Sequence, residues 1–507
     1  MKILFVNEIR EADAYTILHE PIDSIDLMER ASSAFVSWFK ENYLVGNYKV
    51  KIFCGLGDNG GDGLAIARML HPLGYDLEVF VVKFSKKISE NFDQNLYRLE
   101  KQIPVKIIDN ESFIVNFEKK DVIIDALLGS GLSRSLEGLL KSVVEKLNES
   151  EVPIISVDIP SGLFANKSNN LSDTIIKATH TVSFQIPKLA FMLPQNAEFV
   201  GDWHIVDIGL NEDFIEKVTA KFFYSTPLEV EKLIKPRKKF SHKGTFGHAL
   251  LVSGSYGMMG AAILSARACM RSGVGKLTVH SIPSGLAIMQ MLLPEAMYWE
   301  TASGESDLFI STQYNIENIA NKFQAVGIGP GLGVNIKIKE SIEQLCELCA
   351  ELSIPMVIDA DALNNLSMDE NRESLSKIPK NSILTPHPKE FQNLLNKSWK
   401  DDYEKLELLT QFAVNQGVIV CLKGANTAIA LPDGTIHFNS SGNAGMAKAG
   451  SGDVLTGMIL ALLAQGYSPK EAAILGVYQH GLAGDKAAQN RGMNNMIASD
   501  IIENIRF

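Results

Sequence analysis

Aspartates that stand at the ends of apolar runs, each followed by a glycine-bearing turn, are the residues of this sequence that could do acid-base chemistry. In the first half they are Asp125, in Asp125-Ala126-Leu127-Leu128-Gly129-Ser130-Gly131-Leu132, and Asp158, in Val157-Asp158-Ile159-Pro160-Ser161-Gly162. Upstream of both lies Gly55-Leu56-Gly57-Asp58-Asn59-Gly60-Gly61-Asp62-Gly63. Glycines after a strand let the backbone approach a ligand, and the free N–H groups of a helix start favour an anion such as pyrophosphate. Gly55, Gly57 and Gly60 have the G-x-G-x-x-G spacing of a dinucleotide site, a spacing that tight structural turns also produce. A single strand-end aspartate is often only a helix cap, but two of them beside Asp58-Asn59 make a polar cluster that capping does not explain.

The second half carries the parts of a phosphoryl-transfer site. Asn443-Ala444-Gly445-Met446-Ala447-Lys448-Ala449-Gly450-Ser451-Gly452-Asp453 runs into the apolar stretch Val454 to Leu463. Small residues ending at a helix start form an anion cradle, and an aspartate at its lip can take the proton of a hydroxyl that attacks phosphorus. A helix cap is the lesser alternative for Asp453. Lys423-Gly424-Ala425-Asn426-Thr427, Gly329-Pro330-Gly331-Leu332-Gly333 and Thr385-Pro386-His387-Pro388 each follow a strand candidate. The prolines beside His387 stiffen its turn, although a lone loop histidine is often only a satisfied polar group.

These residues need a scaffold of strands whose ends converge. Strand candidates in the first half are Lys51 to Cys54, Leu77 to Val82, Val122 to Ile124, Ile154 to Val157 and His180 to Phe184, with helical stretches at Asp62 to Leu73 and Leu136 to Leu147. Alternation of short apolar runs with longer amphipathic ones predicts an α/β architecture with a largely parallel, doubly wound sheet. The alternation lapses near Ser225, and Lys235-Pro236-Arg237-Lys238-Lys239 follows, so a domain boundary is expected at 220 to 235, giving domains 1–225 and 226–507. That basic cluster reads as a solvated linker or as a guide for an anionic substrate. A second α/β pattern follows, with strands at His248 to Ser253, Lys276 to His280, Ala325 to Ile328, Met356 to Ile358, Ser382 to Leu384 and Val418 to Leu422, and a mostly helical end from Asp453 to Phe507.

Composition narrows the function. A chain of 507 residues, 46% hydrophobic and 21% charged, can bury two sizeable cores. A formal net charge of -11 argues against a surface built for nucleic acid. The longest apolar stretches fall short of a membrane span, and Glu8 and Glu11 follow the short run Ile3 to Val6 where a signal peptide would stay uncharged, so a cytoplasmic protein is expected. Five scattered cysteines give no disulfide framework; Cys346 and Cys349 form a C-x-x-C within a helical pattern, which favours buried thiols over a metal site.

With Leu27-Met28-Glu29-Arg30-Ala31, Asn59-Gly60-Gly61-Asp62-Gly63, Asp125, the Gly129 to Ser135 loop and Val157 to Gly162 in place, the first half resembles the NAD(P)H-hydrate epimerase family. The resemblance implies a Rossmann-like doubly wound sheet. It implies a potassium ion held by Asn59, Asp125 and Ser161, and a substrate surrounded by Asp58, Asn59, Gly60, Gly61, Asp62, Gly129, Ser130, Gly131, Leu132, Ser133, Arg134, Ser135 and Asp158. Inversion at the hydrated carbon by loss and return of water needs a carboxyl acting as acid and then base, a role assigned to Asp158. Asp58 stands where that family usually has Asn, and Phe164 where it has Asp.

The second half, from His242-Lys243-Gly244 through Gly254-Ser255 and Gly260-Ala261 to Ala498-Ser499-Asp500, resembles the ribokinase-like NAD(P)H-hydrate dehydratase family. The resemblance implies a ribokinase-like α/β domain in which Lys423, Gly424, Ala425, Asn426 and Thr427, with Asn443, Ala444, Gly445, Met446, Ala447, Lys448, Ala449, Gly450, Ser451 and Gly452, hold ADP or ATP with magnesium. Ala261, Gly331, His387 and Asp453 would hold the hydrate of NADH or NADPH, and Asp453 would deprotonate its hydroxyl. Lys389 replaces a usual glycine, and Lys448-Ala449 a usual Thr-Gly. The function implied is two-step repair: epimerisation of the R and S hydrates, then dehydration of the S hydrate with release of phosphate and AMP, by a homo-oligomer. Two other readings keep some of these features: a ribokinase-like kinase for a small alcohol beside an unrelated nucleotide-binding domain, and a binding protein whose first half is a silent NAD sensor.

Overall fold

Runs such as Val122-Ile123-Ile124 and Ile154-Ile155 are apolar on both faces of a strand, so they are stable only inside a sheet covered on both sides. In the computed structural model, which describes residues 1–301, 314–320, 322–369 and 371–507, they lie at the centre of such a sheet. The chain divides into two units: Lys2–Ala220 with Asp401–Tyr403, and Lys221–Lys400 with Glu404–Phe507 and Met1.

The first unit holds a seven-stranded sheet in the spatial order Val105–Ile108, Asp76–Val82, Lys49–Cys54, Asp121–Ala126, Ile154–Val157, His180–Phe184, Asp202–Val206. Every pairing is parallel. Successive side chains of a strand point to opposite faces. Val50, Ile52 and Cys54 accordingly join a core with Phe35 and Phe39 of helix Ser24–Asn42 and Leu64 of helix Asp58–Leu70, while Phe53 joins Val143 and Leu147 of helix Gly138–Asn148 on the other side.

Strands of the second unit run in the order Phe222–Tyr224, Ile436–Phe438, Ala428–Ala430, Ile419–Leu422, Ile383–Leu384, Met356–Ile358, Ala325–Ile328, His248–Val252, Lys276–Ser281, Met297–Glu300. Ala428–Ala430 pairs antiparallel with both neighbours, and the other pairs are parallel. Helix Ser451–Ala464 is apolar nearly all round and buried along most of its length, as a helix sandwiched between a sheet and other helices must be. It packs on helix Met259–Arg271 so closely that a Cβ on Gly457 would stand 2.0 Å from the Ser265 carbonyl oxygen. Helix Pro469–Arg491 starts at a capping box of Ser468 and Glu471 with proline in its first turn.

Two expectations are corrected. The first glycine segment is not a loop ahead of a helix at Asp62, because the helix already begins at Asp58. Strands at Val105–Ile108, Asp202–Val206, Phe222–Tyr224, Met297–Glu300, Ala428–Ala430 and Ile436–Phe438 were not anticipated. Cys346 and Cys349 lie buried in helix Ile336–Glu351, their thiols pushed up by burial, and among the described residues no helix is long and apolar enough to cross a membrane.

Candidate functional site

A cavity of about 500 Å³ in the first unit is lined by residues that follow strands Asp121–Ala126 and Ile154–Val157, by the start of helix Asp58–Leu70 and by helix Val6–His19. Of the residues singled out in the sequence, Asp58, Asn59, Asp62, Gly129, Ser130, Gly131, Leu132, Ser133, Arg134 and Asp158 line it. Gly60 and Gly61 do not: a Cβ on Gly60 would lie 2.0 Å from the Gly55 carbonyl oxygen, and one on Gly61 would lie 2.9 Å from Met28 Sδ, so these glycines serve helix packing. Ser135 turns away, its hydroxyl donating to Asp173 at 2.7 Å. Leu27, Met28 and Ala31 line the cavity, whereas Glu29 of the same motif is tied to Arg68 and Arg98. Phe164 is buried, with the Lys167 ammonium 4.3 Å from its ring centroid.

Beneath the cavity Asp125 is wholly buried. Ser161 Oγ donates to Asp125 Oδ1 at 2.6 Å, and Oδ2 accepts from Ser156 Oγ at 2.8 Å and from the Ser161 N–H at 2.9 Å. Burial raises the Asp125 carboxyl above its ordinary range, and these hydrogen bonds oppose the rise. The Leu128 N–H donates to Ser161 Oγ at 2.9 Å, and a Cβ on the next residue, Gly129, would be 3.3 Å from Asn59 Cβ. The Leu128–Gly129 turn therefore lies between Asn59 and the Asp125–Ser161 pair. Asn59 is buried, lines the cavity, and its Nδ2 has no partner. An orphaned amide in such a place points to a ligand.

Asp158 is held at φ 67°, a left-handed conformation that costs a non-glycine residue about 1–2 kcal/mol. Its Oδ1 accepts from the Lys188 ammonium, from the Phe184 N–H at 3.2 Å and from Ser183 Oγ at 3.4 Å. Lys188 is 1% exposed. Asp13, from helix Val6–His19, faces the same cavity, and its carboxyl is pushed up to about 6 by burial and by the Asp158 charge, against Lys188. Asp62 is driven well above the carboxylate range by burial, then by Asp158, Asp58 and Asp13. Sequence reasoning missed Asp13, Lys188 and Arg10, which is close enough that a Cβ on Gly131 would touch its guanidinium at 2.5 Å. Asp13 and Arg10 lie in an ordinary amphipathic helix and Lys188 follows an unremarkable strand, so nothing local marks them.

In the second unit a cavity of about 830 Å³ is lined by His387, Lys423, Gly424, Ala425, Thr427, Asn443, Ala444, Met446, Ala447, Lys448, Ala449, Ser451 and Gly452. Asn426, Gly445 and Gly450 belong to the same turns without lining it. Gly450 caps helix Ser451–Ala464 at φ 88°, and a Cβ on Gly452 would sit 3.1 Å from Lys423 Nζ, so only glycine leaves that ammonium its place. Lys448 does not direct its charge inward, because its Nζ donates to the carbonyls of Asn494 at 2.6 Å and Met496 at 2.7 Å. His387 caps helix Pro388–Leu395, its Nδ1 accepting from the Lys389 N–H at 3.1 Å, and Lys389 is exposed. Ala261 and Gly331 are neighbours: a Cβ on Gly331 would stand 3.2 Å from the Ala261 Cβ.

Asp453 is the third residue of its helix, not its cap. Burial pushes its carboxyl up to about 6, Asp359 and Asp361 adding to the rise and Lys423 opposing it. Sequence reasoning also missed Asp359, which ends strand Met356–Ile358 and accepts from Lys423 Nζ at 2.7 Å on one oxygen and from Thr456 Oγ1 at 2.6 Å on the other. Val357-Ile358-Asp359-Ala360 repeats the strand-end acid used as a signal in the first half, so the clue was present.

The family profile described as NAD(P)H-hydrate dehydratase matches residues 249–506, and that of the YjeF-related protein N-terminus matches residues 24–190. The bifunctional NAD(P)H-hydrate repair enzyme Nnr of Thermofilum pendens is 34% identical over 504 residues, which cover 98% of this chain and 94% of that one. Its counterpart in Moorella thermoacetica is 33% identical over 520 residues, covering 99% of this chain and 96% of that one. Among solved structures, the ADP/ATP-dependent NAD(P)H-hydrate dehydratase from Bacillus subtilis, co-crystallised with ATP/Mg2+, is 31% identical with a TM-score of 0.48, covering 56% of this chain and 96% of that one.

Proposed function

Because the chain belongs to the bifunctional NAD(P)H-hydrate repair enzymes, we propose that its first unit interconverts the R and S hydrates of NADH and NADPH, and that its second unit dehydrates the S hydrate with ADP or ATP. With ADP the products besides the restored cofactor are phosphate and AMP. The observation that carries this division of labour is Asp453, a carboxyl at the start of a buried helix whose first two residues, Ser451 and Gly452, line the second cavity beside Lys423.

In the first unit the carbon–oxygen bond of the hydrated ring carbon breaks as the ring nitrogen's lone pair forms a C=N bond. Water leaves, and water returns to the other face. Asp158 manages a proton in this exchange through Oδ2, the oxygen its partners within the protein leave alone. Arg10 and Arg134 offer guanidinium forks to the pyrophosphate of the dinucleotide. The residues fit a potassium ion held by Asn59, Asp125 and Ser161: they lie about the Leu128–Gly129 turn, they offer hard oxygen donors, and one of them is a carboxyl that burial lifts in spite of its hydrogen bonds. Such an ion would supply a fixed positive charge to the first cavity.

In the second unit Ala261, Gly331 and His387 would orient the hydrate, and the segments Lys423 to Thr427 and Asn443 to Gly452 would hold the nucleotide. Asp453 removes the proton of the ring hydroxyl as its oxygen attacks the terminal phosphorus. Phosphate then leaves with a proton from the neighbouring ring carbon, which restores the dihydronicotinamide. Lys423, poised between Asp359 and Gly452, keeps positive charge beside the transferring group. Among the described residues no group of three or more acidic, histidine or cysteine side chains forms a metal cage, so magnesium would travel on the nucleotide phosphates. The free, buried state of all five cysteines supports a cytoplasmic setting, where thiols stay reduced.

The test is recovery of dihydronicotinamide absorbance when the purified protein meets a mixture of NADH hydrate epimers with ADP or with ATP. Complete recovery is expected with at least one donor, and interconversion alone without nucleotide. Absence of recovery with either donor would overturn the reading.

A further inference from the structure

Inversion by loss and return of water poses a geometric problem. The group that protonates the departing hydroxyl stands on the face it leaves, while the entering water gives up its proton on the opposite face. A single anchored carboxyl cannot stand on both sides of a ring held in one orientation. We propose that two carboxyls share the work in the first cavity: Asp13 gives the proton on one face of the hydrated ring, and Asp158, held by Lys188, receives one on the other. The inference rests on the reading of this cavity as the inversion site.

Asp158 is built to accept. All three bonds to its side chain arrive at Oδ1 from donors, and its left-handed backbone and the buried Lys188 fix it in place. Asp13 comes from a separate element, helix Val6–His19, and makes no hydrogen bond or ion pair with another described residue, so its carboxyl is free to meet the ring. The charged groups that share the cavity with it are Asp158, Lys188 and Arg134, Asp58 and Asp62 on helix Asp58–Leu70, and Arg10 one turn earlier on its own helix. Burial first, and then the Asp158 charge, lift the Asp13 carboxyl to about 6, so it carries a proton below that pH and loses it above. Burial lifts the Asp62 carboxyl too, but Asp62 is buried in the first turns of its helix, whereas Asp13 is only partly buried.

The exchange balances. The hydroxyl leaves as water with the Asp13 proton while the nitrogen lone pair closes the C=N bond. A water then bonds to the carbon from the other side, the pair returns to nitrogen, and the water's proton passes to Asp158. Substrate and product are epimers, one water has been exchanged, and one proton has moved from Asp13 to Asp158. The reverse inversion uses the pair in the opposite roles.

The experiment measures interconversion of R and S NADH hydrates by the full-length protein without nucleotide, across pH, for Asp13→Asn, Asp62→Asn and Asp158→Asn. Asp13→Asn is expected to lower kcat about 100-fold with KM little changed. In the unaltered protein kcat/KM should fall about tenfold per pH unit above about 6, and that limb should vanish in Asp13→Asn. A variant that keeps both rate and limb overturns the inference, as does Asp62→Asn if it alone removes them. Unchanged turnover in Asp158→Asn would instead sink the reading of the cavity. If Asp13→Asn fails to fold or bind, Asp13→Glu decides: retained turnover with a displaced limb supports the donor role, and a loss as deep as that of Asn overturns it.

Discussion

The two glycine-rich segments, 55–63 and 443–452, look alike in sequence and do different work. In the first, Gly60 and Gly63 are consumed by packing: a Cβ on Gly60 would meet backbone at 2.0 Å, and one on Gly63 would meet the Ala126 Cβ at 2.6 Å. In the second, Gly452 leaves room for a charge, and Gly450 supplies the left-handed residue that starts the helix. A spacing of glycines thus says that something comes close, not whether it is protein or ligand. The chemistry of each cavity is set by the acids beside it. Burial lifts Asp13 and Asp453 to about the same value, yet one is placed to give a proton and the other to take one.

The largest effect expected to separate the regions comes from Asp453→Asn, which removes a base without removing volume. Dehydration should fall by about 100-fold or more while epimer interconversion is untouched; near-normal NADH recovery would erase the distinction between the two cavities. Next comes pH. The Asp453 carboxylate is lost as pH drops through about 6, so the dehydration kcat/KM should fall about tenfold per unit below it, a slope opposite in sign to that expected for inversion. Two limbs of the same sign would show that the shared carboxyl value does not conceal opposite roles. A smaller contrast lies in the glycines. Gly60→Ala should destabilise the protein by about 1–3 kcal/mol or more, since backbone cannot yield, whereas Gly452→Ala should melt normally and weaken nucleotide binding by displacing Lys423. Equal melting temperatures with equal nucleotide titrations would refute the assignment of packing to one segment and charge to the other. Least of all, exchange of potassium for a bulky organic cation should slow inversion and leave dehydration of pure S hydrate unaltered; equal inversion rates in both salts would remove the ion from the first cavity.

Much of this was legible beforehand. Strands Ile154–Val157, His180–Phe184, Ala325–Ile328 and Met356–Ile358 are apolar runs bounded by turn residues, and they fall where their pattern puts them. Strands such as Met297–Glu300 and Val105–Ile108 are partly exposed at the sheet margins, so they carry neither a continuous apolar run nor a clean alternation. The same limit applies to the sites. Asp125, Asp158 and Asp453 could be found because each follows an apolar run with a glycine turn beside it. Asp13 and Lys188 reach the first cavity through tertiary folding alone, from a helix and from the turn after a strand whose sequences advertise nothing. The helix start was misplaced because five glycines in nine residues read as a loop, although here the lack of side chains is what lets the helix lie against the sheet.

The pairing of Asp158 with Lys188 also constrains how such a protein can change over generations. Losing Asp158 alone would leave most replacements in the same left-handed backbone and strand an ammonium that is 1% exposed, at a cost of about 3–5 kcal/mol, a large part of what holds a domain together. Losing Lys188 alone would leave the aspartate in its awkward conformation with its main tether gone. Each single step leads through a crippled ancestor, so a lineage that no longer needed this chemistry would either discard both residues at once or go on carrying the pair unused.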